Sequence, residues 1–266
     1  MQETSSAGQW LTIRVGRGTL SFAKPDNDGG IEFEPYVVKS SISPAANLRE
    51  AFKESILLQS GLSRARVLID SPVLMTPIEL FDEQEMELSY NYVFPRSEQD
   101  VVLYNVLPDL NAVAVFSMNK DLRMVIDDHF QNVRIVSAVS PVWRYLHQRS
   151  YTGPRQKLYG YFHEKRLEVF CFHQNRFKFC NSFEAKHAHD VLYFLLYVWK
   201  QLQLQPKFDE LHVVGDMPEQ EWLLSELRRY VQKTYVISPA ADFSQAAVTK
   251  VKGMPYDMQT LFVKGR

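Results

Sequence analysis

Residues 208–231 read FDELHVVGDMPEQEWLLSELRRYV, and the fold class turns on this stretch. Leu211 to Val214 is a short apolar run of the buried-strand type, and Gly215 ends it in a turn through Asp216-Met217-Pro218. Glu219 and Glu221 open a helix whose apolar positions 222, 223, 224, 227 and 231 recur at helical spacing. The pattern has an upstream echo. Glu83-Gln84-Glu85 followed by Leu88-Ser89 repeats Glu219-Gln220-Glu221 followed by Leu224-Ser225, and each copy comes after an apolar strand, Val67 to Asp70 in the first case. A strand, turn and acidic-started helix occurring twice predicts a duplicated α/β unit.

The elements around the two copies extend the repeat. In the first half, Trp10 to Lys24 alternates apolar and polar residues around Gly16-Arg17-Gly18-Thr19, a hairpin signature, and a third strand follows at about 31–39. Ser43-Pro44 introduces a helix to about Gln59, and Arg66 to Asp70 is a buried strand. Pro72 and Pro77 make 73–80 an irregular extended stretch, before the helix near Asp82, a hairpin over 100–117, a helix over 119–129, a strand over 134–139 and a helix opened by Pro141. Tyr151-Thr152-Gly153-Pro154-Arg155 is the linker candidate. After it, three short strands turn at Glu164-Lys165 and Gln174-Asn175, then come a helix over 185–204, the strand and helix quoted above, and a strand over 234–237. For the tail, the expectation is a short helix over 242–247 and a last strand over 259–263.

Both halves thus run strand, strand, strand, helix, strand, helix. This order resembles the duplicated, ribonuclease-H-like lobes of the actin, sugar kinase and Hsp70 superfamily. The opening LTIRVGRGTLSF is similar to the start of a small uncharacterised bacterial family assigned to the actin-like ATPase fold. The expected fold is therefore α/β, two such lobes with mixed sheets flanked by helices, at residues 1–150 and 151–266.

In that superfamily the first hairpin of each lobe carries a phosphate loop with glycines and an aspartate, and a glycine-rich turn after the second lobe's fourth strand lies near the adenosine. Glycines let backbone N–H groups approach phosphate oxygens, and the aspartates hold Mg²⁺ or orient the attacking water. Here the first hairpin has Gly16, Gly18 and Thr19 without an aspartate, and the second has Phe162-His163-Glu164-Lys165 with neither. Gly215-Asp216 stands where the nucleotide turn belongs. The resemblance therefore implies a vestigial nucleotide cleft of Gly16, Gly18, Thr19, Gly215 and Asp216, and each glycine also reads as a plain structural turn. No cofactor is expected; ATP with Mg²⁺ is the alternative.

Composition narrows the function classes. Net charge is -1, with 45% apolar and 23% charged residues, so no global field draws the chain to nucleic acid or an anionic membrane. The longest intensely apolar run, Val191 to Trp199, is about half the roughly 17–25 residues of a membrane-spanning helix. MQETSSAGQW has neither a basic start nor an apolar segment, and the expected location is the cytoplasm. Cys171, His173, Cys180, His187 and His189 carry zinc-ligand chemistry, but their spacing fits no finger, so the expectation is core cysteines and no metal. The aromatics Tyr193, Phe194, Tyr197 and Trp199 are expected to pack between helix and sheet.

By elimination the expectation is a catalytically silent actin-like protein that binds a protein partner or a second copy of itself. The alternative is a nucleotide-binding ATPase or kinase-like switch with degenerate phosphate loops. Aromatic residues make up 13% of the chain, and the segment Met86 to Phe94, with Tyr90 and Tyr92, is the candidate interface.

Overall fold

Alternating apolar residues in β1 (Leu11–Val15) and β2 (Leu20–Pro25) fold as an antiparallel hairpin, to which β3 (Ile31–Tyr36) adds an edge and β4 (Arg64–Ile69) pairs in parallel. The structure is a computed structural model describing residues 9–95, 97–150, 155–173, 176–244 and 246–263. The expected linker residues 151–154 and the turn residues 174 and 175 lie outside the described residues. Between β3 and β4 runs α1 (Pro44–Glu54), started by Pro44 in its first turn and by the Ser43 hydroxyl, which accepts from the Ala46 N–H.

The chain then leaves the main sheet. β5 (Val73–Pro77), α2 (Met86–Val93), β6 (Asp100–Leu107) and β7 (Ala112–Asn119) build a separate three-stranded sheet in the order β5-β7-β6. Asn119 caps α3 (Lys120–His129), accepting from the N–H groups of Asp121 and Leu122, and β8 (Asn132–Ser137) returns beside β4. The first main sheet therefore has the order β3-β2-β1-β4-β8, and α4 (Val139–Ser150) follows it.

Beyond residue 155 the same plan is built again. β9 (Lys157–His163), β10 (Arg166–His173) and β11 (Arg176–Glu184) form the antiparallel half, α5 (Ala188–Gln201) crosses over, and β12 (Glu210–Gly215), α6 (Gln220–Tyr230) and β13 (Thr234–Val236) complete a sheet of order β11-β10-β9-β12-β13. Strand order and pairing sense match the first sheet position by position. A single backbone bond fixes the equivalence: Asp70 N donates to Val15 O at 3.0 Å, and Asp216 N to Phe162 O at 3.3 Å.

This topology corrects the reading of the upstream echo. The helix equivalent to α6 is α3, which sits between the fourth and fifth strands, whereas α2, carrying the tail of the Glu83-Gln84-Glu85 copy, belongs to the inserted sheet. α1 and α3 cover one face of the first sheet, with Leu48, Leu122 and Ile126 on Ile13 and Val67; α5 and α6 cover the second, with Leu195, Leu223 and Leu227 on Leu158 and Val213. The other faces meet across α4, in a shared core of Trp143, Leu146, Tyr159, Tyr161 and Phe170.

The tail seals this core. It has a one-turn helix α7 (Pro239–Asp242), a 3₁₀ turn over Ala247–Lys250 and α8 (Tyr256–Phe262). The strand expected over 259–263 is thus largely the end of α8, whose Met258 is fully buried between the lobes. The aromatics of α5 divide: Phe194 stacks on Phe183 and Trp199 is buried, while Tyr193 and Tyr197 stack on each other at the exposed face.

Candidate functional site

Where the two lobes meet, the first hairpin of one faces the first hairpin of the other, and they bind each other. Glu164 and Lys165 connect β9 to β10 with φ of 45° and 62°, the left-handed pair that a two-residue hairpin turn requires. Asparagine and glycine favour such positions; a glutamate and a lysine there cost about 1–3 kcal/mol each and persist only when the surroundings hold them. The surroundings are the β1–β2 turn. The Glu164 carboxylate accepts from the Gly18 N–H at 2.9 Å, the Thr19 hydroxyl at 2.7 Å and the Arg14 guanidinium at 2.6 Å.

Arg14 holds the arrangement from behind. It is 1% exposed on central strand β1, and its Nε lies 2.9 and 2.8 Å from the two oxygens of Asp257 on α8, which also accepts from the Tyr161 hydroxyl at 3.3 Å. Burial alone would lower the Arg14 pKa, but Asp257, Tyr161 and Glu164 raise it above its ordinary value, so the guanidinium stays charged. Burial likewise opposes ionisation of Glu164, and Arg14, Thr19 and Gly18 outweigh it and bring its pKa below the ordinary carboxylate value. A carboxylate held charged by three donors is poorly suited to serve as a base.

The glycines now have distinct reasons. A Cβ on Gly16 would fall 1.9 Å from Glu164 Oε1 and 2.5 Å from Arg14 Nη1, so Gly16 makes room for the carboxylate, whereas a Cβ on Gly18 would meet nothing within 4 Å. Gly215 has φ of 102° and a Cβ there would fall 1.9 Å from the Phe162 carbonyl oxygen. Its demand comes from the β9 backbone.

Beside the pinned hairpins lies a cavity of about 420 Å³ whose walls include Thr19, Tyr36, Gly215, Asp216 and Tyr256. The structure thus brings Thr19, Gly215 and Asp216 to one cleft, with Gly16 and Gly18 in the adjoining turn. ATP with Mg²⁺ does not fit this arrangement as it stands. The donors suited to a phosphate are taken by Glu164, a phosphate in the same place would face that carboxylate, and Asp257 is engaged by Arg14.

A second ionic cluster ties the lobes alongside. Asp70, at the end of β4, receives Arg166 Nη1 at 3.0 Å; His163 Nδ1 lies 3.4 Å from Asp70 and its Nε2 3.6 Å from Glu168, ion-pair distances without hydrogen-bond geometry. Burial disfavours a charged His163, yet the two carboxylates lift its pKa to about 9. The sequence reading singled out Asp216 and missed its pseudo-symmetric mate Asp70, although Ile69-Asp70 and Gly215-Asp216 close equivalent strands. It also read the second hairpin as bare where Glu164 supplies the anion.

The zinc-type residues do not converge. Cys171 pairs with Phe179 and Cys180 with Phe170 across β10 and β11, Cys171 packs in the α5–α6 core while Cys180 packs toward the shared core, and His189 lies in tilted contact with Trp222. Burial pushes both thiols up to about 12. Tyr90, half of the expected aromatic interface, is buried under the proline stretch, donating to the Pro72 carbonyl at 2.9 Å, while Tyr92 is 92% exposed. Among the described residues no helix is long and apolar enough to cross a membrane.

Comparison with known proteins agrees with this architecture. A crystal structure from Bacteroides thetaiotaomicron VPI-5482, a protein with actin-like ATPase fold and unknown function, is similar at TM-score 0.84 and 29% identity, over 95% of this chain and 100% of that one. The PilM-PilN type IV pilus biogenesis complex is similar in fold alone, at TM-score 0.58 and 11% identity, over 91% and 92% of the two chains. Among curated proteins no sequence matches. The fold is the actin-like ATPase fold. Residues 1–234 match the model of a family described as protein of unknown function (DUF3822), and the chain belongs to that family.

Proposed function

We propose that this protein is a catalytically silent actin-like protein that serves in the cytoplasm as a protein-binding or assembly component, with lobes at about 1–150 and 151–266 held together by an internal anion. One observation carries the reading: the Glu164 carboxylate occupies the donors of the first hairpin, at 2.6–2.9 Å from Arg14, Thr19 and Gly18. With that cradle filled and no aspartate in either hairpin turn, the carboxylate that the superfamily keeps for metal and attacking water is missing from both turns, which supports the silent reading. A fold neighbour sits in a pilus biogenesis complex of two proteins, which is in keeping with an assembly role. The second reading, a nucleotide-binding switch, draws on the cavity of about 420 Å³ against Thr19, Gly215 and Asp216.

An ATPase assay separates them. The purified protein is expected to show only a contaminant's trace rate, unchanged by Glu164→Ala or Gly215→Ala; a rate above background that falls in either variant would refute the silent reading.

A further inference from the structure

On the α4 side of the first sheet, away from the hairpins, is a second cavity of about 430 Å³, with Arg66, Arg134, Arg144, Val136, Pro141 and Leu261 in its walls. Two features of it are costly for a free protein. Arg66 on β4 and Arg134 on β8 are direct partners in the parallel register, so two guanidinium side chains stand next to each other on one face. Neither has a carboxylate partner among the described residues; Trp10 lies against both, its ring 5.9 Å from Arg66 and 4.7 Å from Arg134. Like charges directly opposite in a sheet destabilise it, and Arg66 is half-buried as well, so that burial and Arg134 together lower its pKa. Ser140 also lines the cavity, 1% exposed, with a hydroxyl that has no hydrogen-bond partner.

The fold does not need this charge. In the second lobe the equivalent positions are His212 and Tyr235, which pair in the same register with their rings in tilted contact, centroids 5.1 Å apart, and His212 has Glu210 at 2.9 Å. The second lobe fills the position with a ring contact and an ion pair, whereas in the first the two guanidinium groups share the Trp10 ring and have no carboxylate among the described residues. Local rules that a fold breaks without compensation are expected at functional sites.

We propose that this groove binds an acidic segment of a partner polypeptide, its carboxylates on Arg66 and Arg134 and its apolar side chains on the partly exposed Val136 and Leu261. Arginine forks match carboxylates in a bidentate manner. An inorganic anion would satisfy the arginines but leave the apolar wall bare, and that wall is what favours a peptide. Arg144, held by Asp109 at 2.6 Å, supplies the rim. The inference deepens the protein-binding reading above and rests on it. Nucleotide binding in the cleft would overturn the silent reading without touching this groove, and loss of peptide binding would overturn the groove without touching the cleft.

The test is fluorescence anisotropy of the full chain with a fluorescein-labelled octapeptide of alternating leucine and aspartate. Controls are an octapeptide of alternating leucine and lysine, a labelled single-stranded DNA octamer and inorganic phosphate as competitor. The acidic peptide is expected to bind, Arg66→Gln and Arg134→Gln are each expected to weaken it about tenfold, and Arg66→Lys to retain part of the affinity. The lysine peptide and DNA are expected not to bind and phosphate not to displace. Absence of acidic-peptide binding, or binding indifferent to both arginine substitutions, overturns the proposal; so does full displacement by phosphate, or DNA binding with the same arginine dependence. Free Arg66→Gln is expected to melt at or above the temperature of the parent chain, since it removes one of two adjacent like charges; a clearly lower melting temperature would make the arginines structural and overturn the proposal by itself.

Discussion

Glu164 is a residue whose backbone strain, burial and hydrogen bonds have one common cause: its carboxylate occupies a turn shaped for an anion. Two glycines two positions apart test this by opposite outcomes. Gly16→Ala puts a methyl group onto the Glu164 and Arg14 contacts and is expected to cost up to about 3–5 kcal/mol, as breaking a buried ion pair does. Gly18→Ala enters open space and is expected to be neutral or to stabilise by up to about 1 kcal/mol through the unfolded chain. Urea unfolding of the two variants measures both, and equal effects would contradict the assignment. His163 adds a pH signature. Its folded pKa of about 9 lies above the ordinary 6.5, so its contribution is whole below 6.5 and is lost as pH rises through 9. Stability of the parent chain is expected to fall across that window, by a few kcal/mol at most, and the fall is expected to flatten in His163→Gln.

At the level of elements, both sheets were legible in the sequence because apolar alternation and buried runs mark β1, β2, β4 and β9–β12 directly. The equivalence of helices was not. Glutamate and glutamine at a helix start are favoured by any helix dipole, so the echo between 83–89 and 219–225 reports two helix beginnings and says nothing of their place in a lobe. The inserted sheet separates β4 from its true partner helix α3, and no local pattern announces an insertion. The run 259–263 was read as a strand because a short apolar segment fits either periodicity; Pro255 at the N-cap and burial of Met258 decide for helix. In the site, the glycines and Asp216 were legible as turn chemistry, but which anion they face depends on bringing residues 14–19 and 164 together, and that is a property of the two-lobe packing. Helix α2 offers its own check. Leu88 and Tyr92, 72% and 92% exposed, are expected to tolerate change to serine within about 0.5 kcal/mol, whereas Tyr90→Phe, which loses the bond to the Pro72 carbonyl, is expected to cost about 1 kcal/mol. Chemical denaturation distinguishes them, and a marked loss in the exposed pair would place those side chains in the fold's own core.

On the scale of the molecule, two lobes of one plan are joined by a shared core and by ion pairs that run from hairpin to hairpin beside the cleft cavity. Arg14 links β1 to α8 and to the opposite turn, and Asp70 links β4 to β10, which places both connections at the cleft. On the reading proposed above, these contacts stand where a nucleotide would otherwise join the lobes. The measurement that bears most directly on this is the melting temperature of the parent chain titrated with ATP and Mg²⁺. No shift is expected at any concentration. A rise equivalent to about 2.7 kcal/mol at a hundred times Kd, the value for a ligand that binds only the folded state, would contradict it.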